Sequence, residues 1–484
     1  MAFFNKDRLK QFICKWGWLP GLAILVWCLG SLIPVWTGDA VAKTTMEKAG
    51  TAKAAAIAPV PVDPALLDSG LARSPRLVDL LEYARRKNPA LAASEASWQA
   101  FIQARRLGTA YPDPKLMATF FPKPIETRLG PQDWNFSLTQ PIPFPGLLSQ
   151  KDKVLAANEN LARLKWDQTL RELVTRITES WYELGYLNQA RQLTRKNLEL
   201  VVQMEEILTQ AYGRDQEIYL NLSRVGIKMV DLENQIIRIE EQIKAEKIAL
   251  NALLNREAEA PLGNIVGAMG VTPTAGLNLE RIQKLALEHA DPVLLAREKI
   301  RKAKARLELA RLENKPSLSL GLFYAGIGEP DTPTRPQDAG EDALGIQFGI
   351  SFPLWNGKRE SRLAKARAEL TQAQALLDRA VNQTRARVSR TWYKWEDQAR
   401  TFALHSRETL PRTRRALGTA QAMFRQGRGG FSQLLELQMA VHDFELAMAR
   451  AAADHAKYHA RLEEQAGVIL GPVPTADHNE KDIP

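Results

Sequence analysis

The chain has 484 residues, a formal net charge of +10 and 25% charged residues. Such a charge suits nucleic-acid binding, but Arg and Lys are interleaved with Glu throughout, so it reads as solvated helix faces and no nucleic-acid partner is expected. Both cysteines, Cys14 and Cys28, lie near the N-terminus, and the remaining chain therefore excludes disulfides, a Cys-ligated metal site and a Cys nucleophile.

In chain order, Lys6, Arg8, Lys10 and Lys15 precede an apolar run from Trp16 to Trp36 and small residues ending at Ala42. That layout predicts a signal peptide over residues 1–42. Pro20 and Pro34 argue against a permanent spanning helix, and Trp27 stands where lipid attachment at Cys28 needs a small residue. An Ala/Pro-rich linker follows at 43–75.

The rest reads as two copies of one unit, 76–258 and 277–467, separated by a Gly/Pro-rich linker at 259–276. "WYEL" at Trp181 returns as "WYKW" at Trp392, and "KNPAL" returns as "ADPVL". Each copy predicts a helix (Leu77–Ala110; Leu279–Glu313), two strands (about 114–121 and 133–142; 316–325 and 343–354), a helix of more than 60 residues (Ser149–Gln210; Lys358–Arg425), a short turn and a last helix (Glu217–Asn255; Phe431–Ala466). Residues 468–484 read as a flexible tail.

The last helices carry one heptad register. Leu222, Val225, Met229, Leu232, Ile236, Ile239 and Ile243 recur at alternating spacings of three and four. Leu434, Leu437, Val441, Phe444, Met448, Ala451 and His455 repeat the pattern 212 positions on. A 3.5-residue period held this long predicts coiled-coil packing.

The strands alternate with period two. Leu344, Ile346, Phe348, Ile350 and Phe352 share one face, opposite Gly345, Gln347, Gly349 and Ser351. Leu318, Leu320, Leu322 and Tyr324 do the same, as do Trp134, Phe136 and Leu138. About nine residues suffice to cross a bilayer at a tilt. Trp134, Phe120, Phe144, Tyr324, Phe352 and Trp355 stand near strand ends, where interfacial aromatic residues belong. Four strands cannot close a barrel, and an open edge in lipid leaves backbone groups unpaired. The strands must therefore be shared between copies: three chains make twelve strands around an open lumen, whereas two make eight with a filled interior. The polar, Pro-rich segments "PKPIETRLGPQ" and "GIGEPDTPTRPQDAGED" read as long outer loops, with the helices leaving into the periplasm.

Nothing in the sequence points to an enzyme, and no catalytic residue, cofactor or metal is assigned. There is no phosphate-cradling glycine loop, no "HExxH" and no nucleophile elbow. His455 and His459 stand four apart on a helix, but His455 occupies the heptad seam and no third ligand accompanies the pair. A soluble periplasmic coiled-coil adaptor or scaffold is the alternative function. Against it, the chain lacks the many short strands that an adaptor's other domains require and repeats its hairpin twice.

The duplicated plan, "SLTQPIPFPG" and "GISFPLWNGK" closing the hairpins, and "AMFRQGRGGFSQLLELQ" at the second helical turn together resemble the TolC-like outer-membrane efflux proteins. "QPIPFPG" is most similar to the heavy-metal-exporter branch of CzcC and CusC. The resemblance implies a mainly α fold with a small membrane β part, assembled as a homotrimer: a twelve-stranded β-barrel on a twelve-helix α-barrel. It implies an exit duct in the outer membrane of a Gram-negative bacterium, working with a periplasmic adaptor (a membrane fusion protein) and an inner-membrane RND-type pump. Its pore gate falls on Gln433 and Glu436, of which only Glu436 keeps an acid. Its adaptor-contacting tips fall on Tyr212, Gly213 and Arg214, and on Phe424, Gly427, Arg428, Gly429 and Gly430. The three glycines there are expected to supply the positive φ of a tight helical turn.

Overall fold

Where a helix starts and stops here is decided by caps and prolines, and where it packs by its heptad seam. The computed structural model describes residues 70–73, 75–210, 216–265, 271, 277–330, 337–426 and 428–471, all within one unit spanning Pro64–Pro484. The expected signal peptide, most of the linker at 43–75 and most of the tail lie outside the described residues.

Each expected 35-residue helix is broken in two. In the first repeat α1 (Leu77–Lys87) gives way to α2 (Pro89–Thr109). Pro89 has no N–H to continue the ladder and suits a helix start. The Asn88 side chain accepts from Leu91 N at 3.0 Å and donates to the Leu253 carbonyl at 2.8 Å, so the break is capped and pinned to the end of the last helix. In the second repeat Pro292 sets the same break between α5 (Leu279–His289) and α6 (Asp291–Leu312).

The strands β1 (Lys115–Thr127), β2 (Gly130–Ile142), β3 (Ser317–Ile327) and β4 (Ala343–Ser351) form one antiparallel sheet in the order β1-β2-β3-β4. The segment "PKPIETRLGPQ" is not a loop. It extends both strands of the first hairpin, which turn at Arg128 and Leu129. Pro122 and Pro124 fit because β1 is an edge strand and its ladder to β2 shifts between Phe120 and Ile125. Gly130 closes the turn at φ 136°, where a Cβ would lie 1.7 Å from the Gly328 carbonyl oxygen.

The long helices are α3 (Leu147–Gln210), with 64 residues, and α7 (Asn356–Leu404) continued by α8 (Leu410–Arg425). At 1.5 Å per residue α3 spans about 96 Å. Between α7 and α8 a π-helical turn, His405–Thr409, interrupts the helix expected to be continuous. Pro411 obstructs the carbonyl of Arg407, and the wider turn absorbs that clash. The last helices are α4 (Gln216–Leu253) and α9 (Phe431–Ala466).

Three buried clusters hold these elements together. The first joins Leu80 and Ala84 of α1 to Leu184 and Leu187 of α3 and Leu250 of α4. The second repeats it with Ile282 and Ala286 of α5, Val388, Trp392 and Trp395 of α7, and Leu462 of α9. The third, at the far end, mixes the repeats: Val201 and Met204 of α3, Val225 and Leu232 of α4, Phe431 and Leu434 of α9. A fully buried Leu or Ile contributes about 1.5–3 kcal/mol and a cap about 1 kcal/mol, so the seams, not the helix ends, carry the stability.

The helices copy the sheet. Since α2 leads into β1, β2 into α3, α6 into β3 and β4 into α7, the neighbours next to the sheet run α2-α3-α6-α7. Farther away they run α4-α3-α9, with α7 and α8 on the other flank of α9. In each row one edge belongs to the first repeat (β1, α2, α4) and the other to the second (β4, α7, α8).

Candidate functional site

The apolar strand face is contiguous and uncovered. Across the sheet Leu116 pairs with Leu138, Leu138 with Leu322 and Leu322 with Ile346. Leu318 faces Ile350 and Leu320 faces Phe348 in the same register. Leu344 is 76% and Phe348 84% exposed, and Ile346, Ile350 and Phe352 are exposed as well. The opposite face carries Ser137, Thr139, Ser319, Gly321, Gln347 and Gly349, interrupted by Phe323 opposite Gly345. At the hairpin end Trp134 lies 5.0 Å from Phe136 and 5.6 Å from Tyr324. Phe144, Phe352 and Trp355 stand at the helical end.

At the other end of the long helices, Phe424 packs edge-on against Phe431, 5.7 Å apart, and Arg428 N donates to the Met423 carbonyl at 2.9 Å. Neither Gly429 nor Gly430 adopts the expected positive φ; Gly430 sits at −76° as the N-cap of α9. Gly429 is needed for closeness instead, since a Cβ there would lie 3.2 Å from Met423 Cβ and Phe424 N. Tyr212, Gly213, Arg214 and Gly427 lie outside the described residues. Gln433 and Glu436 both point to solvent from the first turns of α9, between the buried Phe431, Leu434 and Leu435.

Polar ties fasten α3 and α4 of the first repeat to α9 of the second. Gln438 donates to Asn197 Oδ1 at 2.8 Å, and Ser432 to Asn221 Oδ1 at 3.1 Å. Glu183 receives Arg450 at 2.8 Å and also Lys457, while Arg461 reaches Glu179. Burial raises the Glu183 pKa, but Lys457 and Arg450 outweigh it and hold the carboxyl below its usual value. Heptad reasoning missed these ties because the partners lie over 200 residues apart.

A second apolar stripe runs along α4. Leu220, Ile227, Val230 and Ile237 of α4 follow spacings of seven, three and seven, and all are exposed. They form an apolar seam on the free flank of α4, away from the seam that packs on α3.

The histidine pair is packed. His455 stacks on Trp395 at 4.9 Å and His459 lies 6.3 Å from the same ring. Among the described residues no cluster of three or more His, Cys, Asp or Glu could hold a metal ion. Burial, aided by His459, pushes the His455 pKa down to about 4. An unfolded histidine protonates near pH 6.5, so between these values the unfolded chain binds the extra proton and stability falls as pH drops through that window. Unfolding midpoints measured from pH 7 to pH 4 are expected to fall less steeply in His455→Phe than in the wild type.

No described helix is long and apolar enough to cross a membrane, a statement that does not bear on strands. Residues 282–468 match the family model described as Outer membrane efflux protein. No curated protein matches the chain. Among solved structures, CusC matches at TM-score 0.68 and 15% identity, over 81% of this chain and 92% of its own. VceC of Vibrio cholerae matches at 0.68 and 17%, over 82% and 97%. The open state of the MtrE channel of Neisseria gonorrhoeae matches at 0.65 and 14%, over 82% and 90%. The duplicated helix–hairpin–helix unit thus has the fold of the outer-membrane channels. Residues 282–468, the body of the second repeat, carry the sequence pattern of the outer membrane efflux proteins, and the chain as a whole shares the fold of these channels.

Proposed function

We propose that the protein is a homotrimeric exit duct in the outer membrane of a Gram-negative bacterium, passing cargo from an inner-membrane RND-type pump and a periplasmic adaptor to the outside without catalysis. One observation carries this reading: the sheet and both helical rows end on the same two unlike edges, first repeat on one side and second on the other. Unlike edges join head to tail, and they make a ring when the rotation from copy to copy closes, as the curl of a β-barrel provides. Three copies give twelve strands and an open lumen, where two give a filled barrel. Lipid covers the exposed apolar face, and the free stripe of α4 packs on the second-repeat edge of the next copy. The soluble-adaptor reading leaves that sheet face in water, where a patch of this size invites association.

The test is the mass of the full chain purified from membranes in detergent. A trimer is expected; a water-soluble monomer refutes the duct. Gln433 and Glu436 are proposed to ring the pore just inside the helical tips, with three copies of Glu436 drawing cations to the axis. In planar bilayers Glu436→Lys is expected to change single-channel conductance and weaken cation preference. Unchanged values remove the gate assignment. Phe424, Arg428, Gly429 and Gly430, together with Tyr212, Gly213, Arg214 and Gly427, form the proposed adaptor-contacting tips.

A further inference from the structure

Where the strands become helices, a cavity of about 650 Å³ opens between the end of the sheet and the start of α7. Its wall carries four cations, Lys315, Lys358, Arg359 and Arg362, against a single carboxylate, Glu313. Arg362 is already engaged: it donates to the Glu313 carbonyl at 3.0 Å and to Asn314 Oδ1 at 2.6 Å, and its guanidinium lies 3.4 Å from the Glu313 carboxylate. Glu313 is thereby used as well. Arg359 has only a 3.5 Å approach to Asn356 Oδ1, and Lys315 and Lys358 have no ion pair among the described residues. Three cations thus share one recess with no ion-pair partner among the described residues.

The recess is also amphipathic. Leu318 and Phe352, the last apolar residues of the uncovered sheet face, form part of its wall, and Trp355 adds an indole beside Lys358. A ligand suited to it is anionic at one end and hydrocarbon at the other. We propose that this cavity binds the headgroup of an anionic glycerophospholipid, its phosphate held by Lys315, Lys358 and Arg359 and its acyl chains laid on Leu318, Phe352 and the neighbouring strand face. Basic residues at the membrane surface select anionic lipids in this way, and amphipathic aromatic rings sit at headgroup level. The site rests on the proposed membrane insertion and deepens it: it fixes the depth of the sheet at its helical end.

Full-length protein is reconstituted into nanodiscs of phosphatidylethanolamine with or without phosphatidylglycerol, and retained lipid is counted by native mass spectrometry after transfer to detergent. Wild type is expected to retain phosphatidylglycerol selectively. Lys315→Gln/Lys358→Gln removes two charges and is expected to weaken retention about thirtyfold while still inserting. Lys315→Arg/Lys358→Arg, which keeps the charge, is expected to retain the lipid and guards against a folding artefact. Insertion without preference for phosphatidylglycerol overturns the site and leaves the duct standing. Failure of the wild type to enter bilayers overturns the duct itself. Equal displacement of the lipid by millimolar inorganic phosphate shows a plain anion site and also overturns the proposal.

Discussion

Phe348→Arg is expected to remove the protein from the outer-membrane fraction. Phe348 is the most exposed residue of the central apolar band and lies beside Leu320 midway along β4. An arginine at the bilayer midplane costs about 2–4 kcal/mol per chain. In a closed ring that cost recurs in every copy. The control is one residue away: Gln347 faces the other side of the sheet, opposite Gly321, and Gln347→Arg is expected to assemble normally because that face meets water. Fractionation and detergent gel mobility read both variants. Normal assembly of Phe348→Arg shows that the face does not meet lipid.

The second large effect lies at the break between α5 and α6. Asp291, the first residue of α6, is buried and takes a two-pronged grip from Arg171 of α3, at 2.8 and 2.5 Å. Donating to Asp291 raises the Arg171 pKa further, so the guanidinium stays charged at every ordinary pH. Arg171→Ala leaves a buried carboxylate without its partner, a loss of about 3 kcal/mol, the low end for such pairs because Arg171 is one-third exposed. Urea unfolding is expected to show this, and Arg171→Ala/Asp291→Asn to recover part of it. If the two single changes simply add, the pair is not coupled.

Much of the fold was legible from local pattern. The limits of α9, Phe431–Ala466, follow from its heptads and from the glycines before it, and the structure reproduces them. The face of β4 followed from period two alone. Less was legible where a local rule competes with a longer one. The runs around Asn88 and Ala290 keep helical periodicity through the break, so the pattern predicts one helix where the structure has two. "PKPIETRLGPQ" read as loop because of its prolines, yet an edge strand tolerates them, and only the sheet order makes β1 an edge.

Local pattern along the chain is enough to establish that two copies of a helix–hairpin–helix unit exist, which strand face is apolar, and where the last helices pack. Periodicity and turn chemistry are properties of neighbouring residues, and a single chain records them. It takes the packed molecule to show that β2 lies beside β3, that α3 is bound to α9 through Asn197–Gln438 and Glu183–Arg450, and that all rows end on the same unlike edges. Those facts depend on groups brought together from distant positions, where many partners of like chemistry compete and packing alone selects among them.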